Sequence, residues 1–217
     1  MLMYDQIKND PYIINLYQDI DGKENKETFY AYHGLKHIYG VINTVEKILL
    51  SLNCNSEYIE NAKIAALLHD IGQIYGKENH EAKSKEMVMD YFTRKQIKLF
   101  YEEDILEAIL LHRGYEETDN LMALVLILAD KIDIKKDRIT EVGKTRIGNR
   151  QYQFIEDIEI KVNNNKFIIN FIVDRSCDKD ELEAHYFTKK VHTAIKKFAE
   201  HINLTPEILW NQEPWML

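Results

Sequence analysis

Apolar residues recur at helical spacing through the first two thirds of the chain and then switch to period two, so the sequence predicts a helical body followed by a smaller mixed end. Pro11 suits the first turn of a helix through "YIINLYQDI", and the polar run "DGKENKETF" after it predicts a loop. A second helix is predicted from about Gly34 to Leu52, with Ile38, Val41, Ile42, Val45, Ile48 and Leu49 on one face. Ser56 is the expected N-cap of a third, which carries "IAALLHD" and stops near Gly72. Asn79 is expected to cap a fourth, through "HEAKSKEMVMDYF". A fifth, "EEDILEAILLHR", ends at Gly114, and a sixth runs from Asn120 through "LADKID".

The alternation begins at "QFIEDIEIKV" and resumes at "KFIINFIVD" after "NNN", the pattern of a β-hairpin joined by an asparagine-rich turn, with Phe154, Ile158, Ile160 and Val162 on one face. Helical spacing returns in "DKDELEAHYFTKKVHTAIKKFAEHI", for which Asp178 is the expected cap. No repeat, low-complexity tract or Pro/Gly/Ser-rich linker interrupts the chain. The expected division is therefore 1–137, a helical body, and 138–217, a hairpin and helix packed on that body as part of the same domain.

Composition narrows the function classes. The 217 residues, 45% hydrophobic and 29% charged, are ordinary for a globular protein with a sizeable core. The longest apolar run, "LMALVLILA", is closed by Asn120 and Asp130 and is too short to span a bilayer, so no membrane is expected. The N-terminus lacks a basic patch followed by an apolar stretch, and a cytoplasmic location is expected. A net charge of −8 argues against a protein that coats nucleic acid, which needs clustered cations, and leaves room for a small anionic substrate. The two cysteines, Cys54 and Cys177, suggest neither a disulfide framework nor a thiolate zinc site, so any metal must be held by His and carboxylate.

Such groups are present. His33, His37, His69, His80 and His112 sit beside apolar helix faces or helix ends, and "LLHDIG" and "LILADKID" set Asp70 and Asp130 into strongly apolar runs. A carboxylate there is costly to bury unless it is paired or bound to metal. Any one of these residues alone reads as a hydrogen-bonded core residue. Together, His37, His69, Asp70, His80, His112 and Asp130 come one or two per helix from successive helices, the way bundle cores assemble metal sites. Imidazole and carboxylate suit iron, manganese, zinc or cobalt better than calcium, and six ligands suffice for two ions sharing a carboxylate. Two metals roughly 3.5 to 4 Å apart clamp a phosphoryl group and bring hydroxide within reach near neutral pH.

The order H, then HD, then D, with two histidines between, resembles the HD-domain metal-dependent phosphohydrolases over residues 30–135. The resemblance implies an HD helical bundle, mainly α, with two divalent or mixed-valent ions (Fe, Mn, Co or Zn). It makes His37 the first ligand, His69 and Asp70 the HD pair with Asp70 bridging, Asp130 the last aspartate, and His80 and His112 the extra histidines of two-metal members. "YHGLKHIYGV" is similar to a stretch of cyclic-nucleotide phosphodiesterases in which the first His protonates the leaving oxygen, which implies that role for His33; Gly34 and Gly40 depart from the Asn and Asp of those enzymes. On a helix, His33 and His37 would share a face. The GYP signature of cyclic-di-GMP phosphodiesterases is missing, and the acidic pair of alarmone hydrolases does not follow "HDIGQI"; bacterial dinucleoside tetraphosphate hydrolases share the extra histidines and the "LADKI" context.

After Asp130 the charge changes sign, with seven basic residues against three acidic ones over 131–150. Lys131, with a catalytic role beside Asp130, and Arg138 and Arg113 are the expected phosphate contacts among them and near them. His185, His192 and His201 read as packing or surface residues, and Tyr30 and Tyr32 as packing. The expected activity is hydrolysis of a phosphoester in a small phosphorylated substrate, a nucleotide above all. The alternatives are a mixed-valent diiron oxygenase on the same scaffold and a non-catalytic ligand-binding module. A homodimer through an exposed hairpin edge is compatible with the sequence.

Overall fold

The computed structural model describes residues 3–24, 30–114 and 116–216, and these are mainly helical with one small sheet. The chain divides into two compact units, Met1–Glu24 with His33–Asp130, and Asn25–Tyr32 with Lys131–Leu217. No helix among the described residues is long and apolar enough to cross a membrane.

The first unit is helical throughout. It comprises α1 (Met3–Lys8), α2 (Pro11–Glu24), α3 (Leu35–Ser51), α4 (Ser56–Leu68), a 3-10 turn (Ile71–Tyr75), α5 (His80–Lys95), α6 (Glu102–Leu111) and most of α7 (Leu121–Ile132). The face expected on α3 is the buried one, Ile38, Val41, Ile42, Val45, Ile48 and Leu49. The apolar run of α7 buries Met122, Ala123, Val125, Leu126, Leu128 and Ala129, as a helix hydrophobic on all sides must.

Three boundaries differ from expectation. α2 continues through the first four residues of the run expected to be a loop, because Ile13, Tyr17, Ile20 and Glu24 form one buried stripe at helical spacing; residues 25–29 of that run lie outside the described residues. Asn55 rather than Ser56 caps α4: its backbone is extended and its side-chain oxygen accepts from the Tyr58 N–H at 2.8 Å. Asn79 precedes α5 as expected but lies in the left-handed region (φ 54°) and makes no side-chain cap bond, so it turns the chain rather than capping it.

In the second unit β1 (Ile155–Asn163) pairs antiparallel with β2 (Lys166–Val173), and both Asn164 and Asn165 have positive φ, the requirement of a two-residue type I′ turn. Ile158, Ile160 and Val162 do share the face of Phe171, Ile169 and Phe167, whereas Phe154 ends the 3-10 stretch that precedes the strand. The single helix expected next is two, α8 (Lys179–Ala184) and α9 (Tyr186–His201), broken at His185, whose backbone is extended. Asp178 caps α8 as expected, accepting from Glu181 N–H at 3.0 Å. α9 buries Val191, His192, Ile195, Phe198 and Ala199 and returns the chain to β3 (Thr205–Trp210), parallel to β2, followed by the short β4 (Glu213–Pro214) in the order β1-β2-β3-β4. β3 has little signature in the sequence because Pro206 interrupts a short run.

His192 gives this unit a pH dependence. The ring is 3% exposed, meets Trp215 edge-on at 4.5 Å between centroids, and neither ring nitrogen has a hydrogen-bond partner among the described residues. Burial, with Lys196 adding, pushes its pKa down to about 4. An unfolded chain takes up this proton near the ordinary pKa of about 6.5, so stability is complete above that pH and is lost as pH falls toward 4. Allowing for solvent screening, the loss is about 1–2 kcal/mol. Thermal melts from pH 7 to 4 should show a steeper decline for the wild type than for His192→Phe; parallel curves would remove His192 as the cause.

Candidate metal centre

All six residues proposed as metal ligands lie in the first unit, most of them at helix ends. His37 projects from the buried face of α3. His69 follows the last residue of α4, and Asp70 opens the 3-10 turn with bridge-region dihedrals (φ −108°, ψ 8°). His80 is the first residue of α5, His112 follows α6, and Asp130 lies near the end of α7. Helix ends serve this purpose for a physical reason: their last carbonyls lack helical partners. Nδ1 of His69 takes the carbonyl of Ala66 (2.8 Å), and Nδ1 of His112 takes that of Ile109 (2.7 Å). His80 Nδ1 takes the carbonyl of Lys77, in the turn before α5, at 3.0 Å. A carbonyl only accepts, so each Nδ1 carries the proton and each neutral ring presents a bare lone pair at Nε2.

Those lone pairs converge on Asp70. Its Oδ2 lies 3.4 Å from Nε2 of His69 and 3.8 Å from that of His37, while Oδ1 lies 3.2 Å from His80 and 3.4 Å from His112. His80 and His112 face each other nitrogen to nitrogen at 3.0 Å, so at most one of the two can carry an Nε2 proton. Asp130 Oδ1 closes the other side at 3.3 Å from His37 Nε2. Asp70 is 2% exposed and His69 fully buried, yet Oδ1 of Asp70 and Nε2 of His69 make no hydrogen bond of acceptable geometry. A metal cation between them would satisfy these facing oxygen and nitrogen atoms in a dry site. The donors form two clusters, His37, His69 and Asp70, and Asp70, His80 and His112, each able to hold an ion and sharing the Asp70 carboxylate.

The Asp70 carboxylate dominates the electrostatics of the cluster and favours protons on the rings around it. Burial alone would raise the Asp70 pKa, but His69, His112 and His80 together outweigh it and hold the carboxyl well below its usual range. Burial would lower His69 and His80, and the Asp70 carboxylate reverses both, raising them. His112 is pushed down by burial, with the His69 charge adding to it despite Asp70.

Residues 34–135 match the HD domain family. Over this segment the chain is similar to HD domains. The segment holds all six of the clustered donors. Over 149 residues, 63% of this chain, the sequence is 29% identical to Ribonuclease Y of Mycoplasmoides gallisepticum, and the match spans 24% of the length of that relative. A crystal structure of a predicted HD superfamily hydrolase from an uncultured Thermotogales bacterium is 19% identical, with a TM-score of 0.46 over 65% of this chain and 86% of that one.

Around the six donors, the remaining expected site residues are distributed as follows. His33 lies two residues before α3 rather than on its face; its ring nevertheless meets that of His37 edge-on at 5.9 Å. A Cβ at Gly34, between them, would fall 1.8 Å from an Asp21 carboxylate oxygen, so a side chain there must displace that carboxylate. That carboxylate accepts from the Leu35 N–H at the start of α3. Arg113 Nη1 is 3.3 Å from both oxygens of Glu81, beside His80. Lys131 and Arg138 belong to the second unit, where Arg138 donates from Nε to the Tyr32 carbonyl at 3.2 Å and from Nη1 to the Asp133 carbonyl at 3.0 Å. One further residue of the constellation is barely marked in the sequence. Glu24, 4% exposed, engages His33, and its only sequence signal is its register with the apolar stripe of α2.

Proposed function

We propose that the protein is a metal-dependent phosphohydrolase that cleaves a phosphoester of a nucleotide or similar small phosphorylated molecule. The observation that carries the reading is the Asp70 carboxylate, whose two oxygens face two separate pairs of imidazoles with their Nε2 atoms turned inward. In this reading His37, His69, Asp70 and Asp130 hold one divalent ion and Asp70, His80 and His112 a second. Such a pair supplies charge neutralisation for the phosphoryl oxygens and lowers the pKa of water. The chain's own residues do the rest. Asp70 orients both halves, His33 gives a proton to the leaving oxygen, and Arg113 is the proposed phosphate-binding cation of this unit. The match of residues 34–135 to the HD family supports hydrolysis over the binding-module alternative, since a dead site has no need of all six donors.

The likeness to a protein named Ribonuclease Y supports a second reading, in which the ester is a phosphodiester within RNA. The net charge of −8 supports the small substrate instead.

Elemental analysis of protein purified without chelator tests the reading, followed by phosphate release from a nucleotide panel and cleavage of a short RNA with added manganese or cobalt. About two ions per chain and turnover of a nucleotide are expected. Cleavage of the RNA alone would transfer the site to the second reading. Bound iron with oxygen consumption and no phosphate release would overturn hydrolysis in favour of the oxygenase.

A further inference from the structure

Glu24 is a buried carboxylate at the last position of α2, 4% exposed, a place where acids are seldom found unless paired. Both of its oxygens are committed to one residue. Oε2 accepts from the backbone N–H of His33 at 2.7 Å, and Oε1 pairs with His33 Nδ1. The backbone bond fixes where the His33 main chain sits, and the ring bond fixes how the imidazole is turned. The ring so held stands edge-on to His37 at 5.9 Å.

We propose that Glu24 is the positioning residue for proton transfer by His33. A carboxylate on Nδ1 accepts a hydrogen bond and does not give one, so Nδ1 stays protonated whether the ring is neutral or cationic. Nε2 is then the one ring atom at which a proton comes and goes. The inference rests on the phosphohydrolase reading above. In that reaction the phosphorus–oxygen bond to the leaving group breaks with its electron pair on oxygen, and a water oxygen bonds to phosphorus. His33 Nε2 passes its proton to the leaving oxygen, and the proton lost by the water returns to Nε2 through solvent. A ring with the opposite tautomer would present a proton at the wrong nitrogen, so Glu24 acts on the acid without touching substrate.

The test compares the manganese-loaded wild type, Glu24→Gln, His33→Gln and the double variant on two esters of thymidine 5′-phosphate, the p-nitrophenyl and the methyl. The first leaving group departs without protonation and the second needs it. Positioned general acids contribute roughly 10²–10⁴-fold, so Glu24→Gln should lose about 10- to 100-fold in kcat on the methyl ester and less than about 3-fold on the p-nitrophenyl ester. His33→Gln should show the same asymmetry, and the double variant should be no worse than His33→Gln alone. Nitrogen-15 NMR of the side chains, independent of turnover, should show a protonated Nδ1 on His33 in the wild type that is lost or displaced in Glu24→Gln. Equal losses on both esters would overturn the proposal and leave Glu24 a structural acid. So would a wild-type His33 without a proton on Nδ1. A wild type that binds manganese and cleaves neither ester, nor any of the nucleotide panel, would instead fell the phosphohydrolase reading, and this inference with it.

Discussion

The Asp70→Asn variant is expected to retain no stoichiometric metal and to lose about three orders of magnitude in turnover, equivalent to about 4 kcal/mol of transition-state stabilisation. In chelator it should melt within about 1 kcal/mol of the wild type. Both halves of the result follow from one geometry. Asp70 contributes an oxygen to each donor cluster, so removing its charge weakens both ions, whereas a terminal ligand would weaken one. Asp130, 15% exposed at the side chain and 3.3 Å from His37 Nε2, is proposed as such a terminal ligand, and Asp130→Asn should spare the His80/His112 half. The stability half is the sharper test. An amide keeps the shape of the carboxylate and turns its NH2 donors to one pair of imidazoles while its oxygen faces the other pair. In chelated protein the amide therefore bonds one half of the cluster directly and leaves the other facing an oxygen as before. Elemental analysis, kcat and melting in chelator check the three parts, and an Asp70→Asn protein that still carries two ions per chain would sink the bridging role.

What the sequence revealed of this site divides along a physical line. Donor identity was legible because imidazole and carboxylate in apolar runs are anomalous wherever they fall, and His37, His69, Asp70, His80, His112 and Asp130 all do meet in the first unit. The α3 face was legible for the same reason: its period is local, and six apolar residues in register leave no second solution. Glu24 was not, because a carboxylate in the run "DGKENKETF" looks solvated until α2 is known to continue through it. The i, i+4 spacing suggests His33 beside His37 on one helix, whereas His33 precedes α3 and is held there by Glu24. Parallel pairing was equally hidden. β3 meets β2 only after α8 and α9 have crossed, and no local alternation announces a six-residue strand with a proline at its second position.

Gly72 illustrates the same limit and carries the second large effect. As part of "HDIG" it reads as a helix stop, but its φ is not in the left-handed region and the reason for glycine is close approach. A Cβ at this position would fall 2.3 Å from the His80 carbonyl oxygen, 2.6 Å from Ser84 N and 2.8 Å from Ser84 Oγ. Two of those atoms are backbone, so rotating a side chain cannot relieve the clash. The 3-10 turn and the first turn of α5 are in addition tied by the Gly72 N–H donating to the buried Ser84 Oγ at 2.8 Å. Asp70 lies two residues before this contact and His80 opens the helix on its other side, so the approach at Gly72 sets the 3.2 Å distance between Asp70 Oδ1 and His80 Nε2. Gly72→Ala must push the turn and α5 apart. The expected cost is about 2–4 kcal/mol from overpacking and the lost bond, or a fall in Tm of roughly 5–15 °C. Occupancy should drop first at the His80/His112 half, leaving about one ion per chain. Ser84→Ala isolates the bond from the clash: it should cost about 1–3 kcal/mol by orphaning the Gly72 N–H and leave two ions bound. If Gly72→Ala instead keeps both ions at full occupancy with only a lower Tm, the contact serves the fold, and the spacing of Asp70 and His80 is set elsewhere.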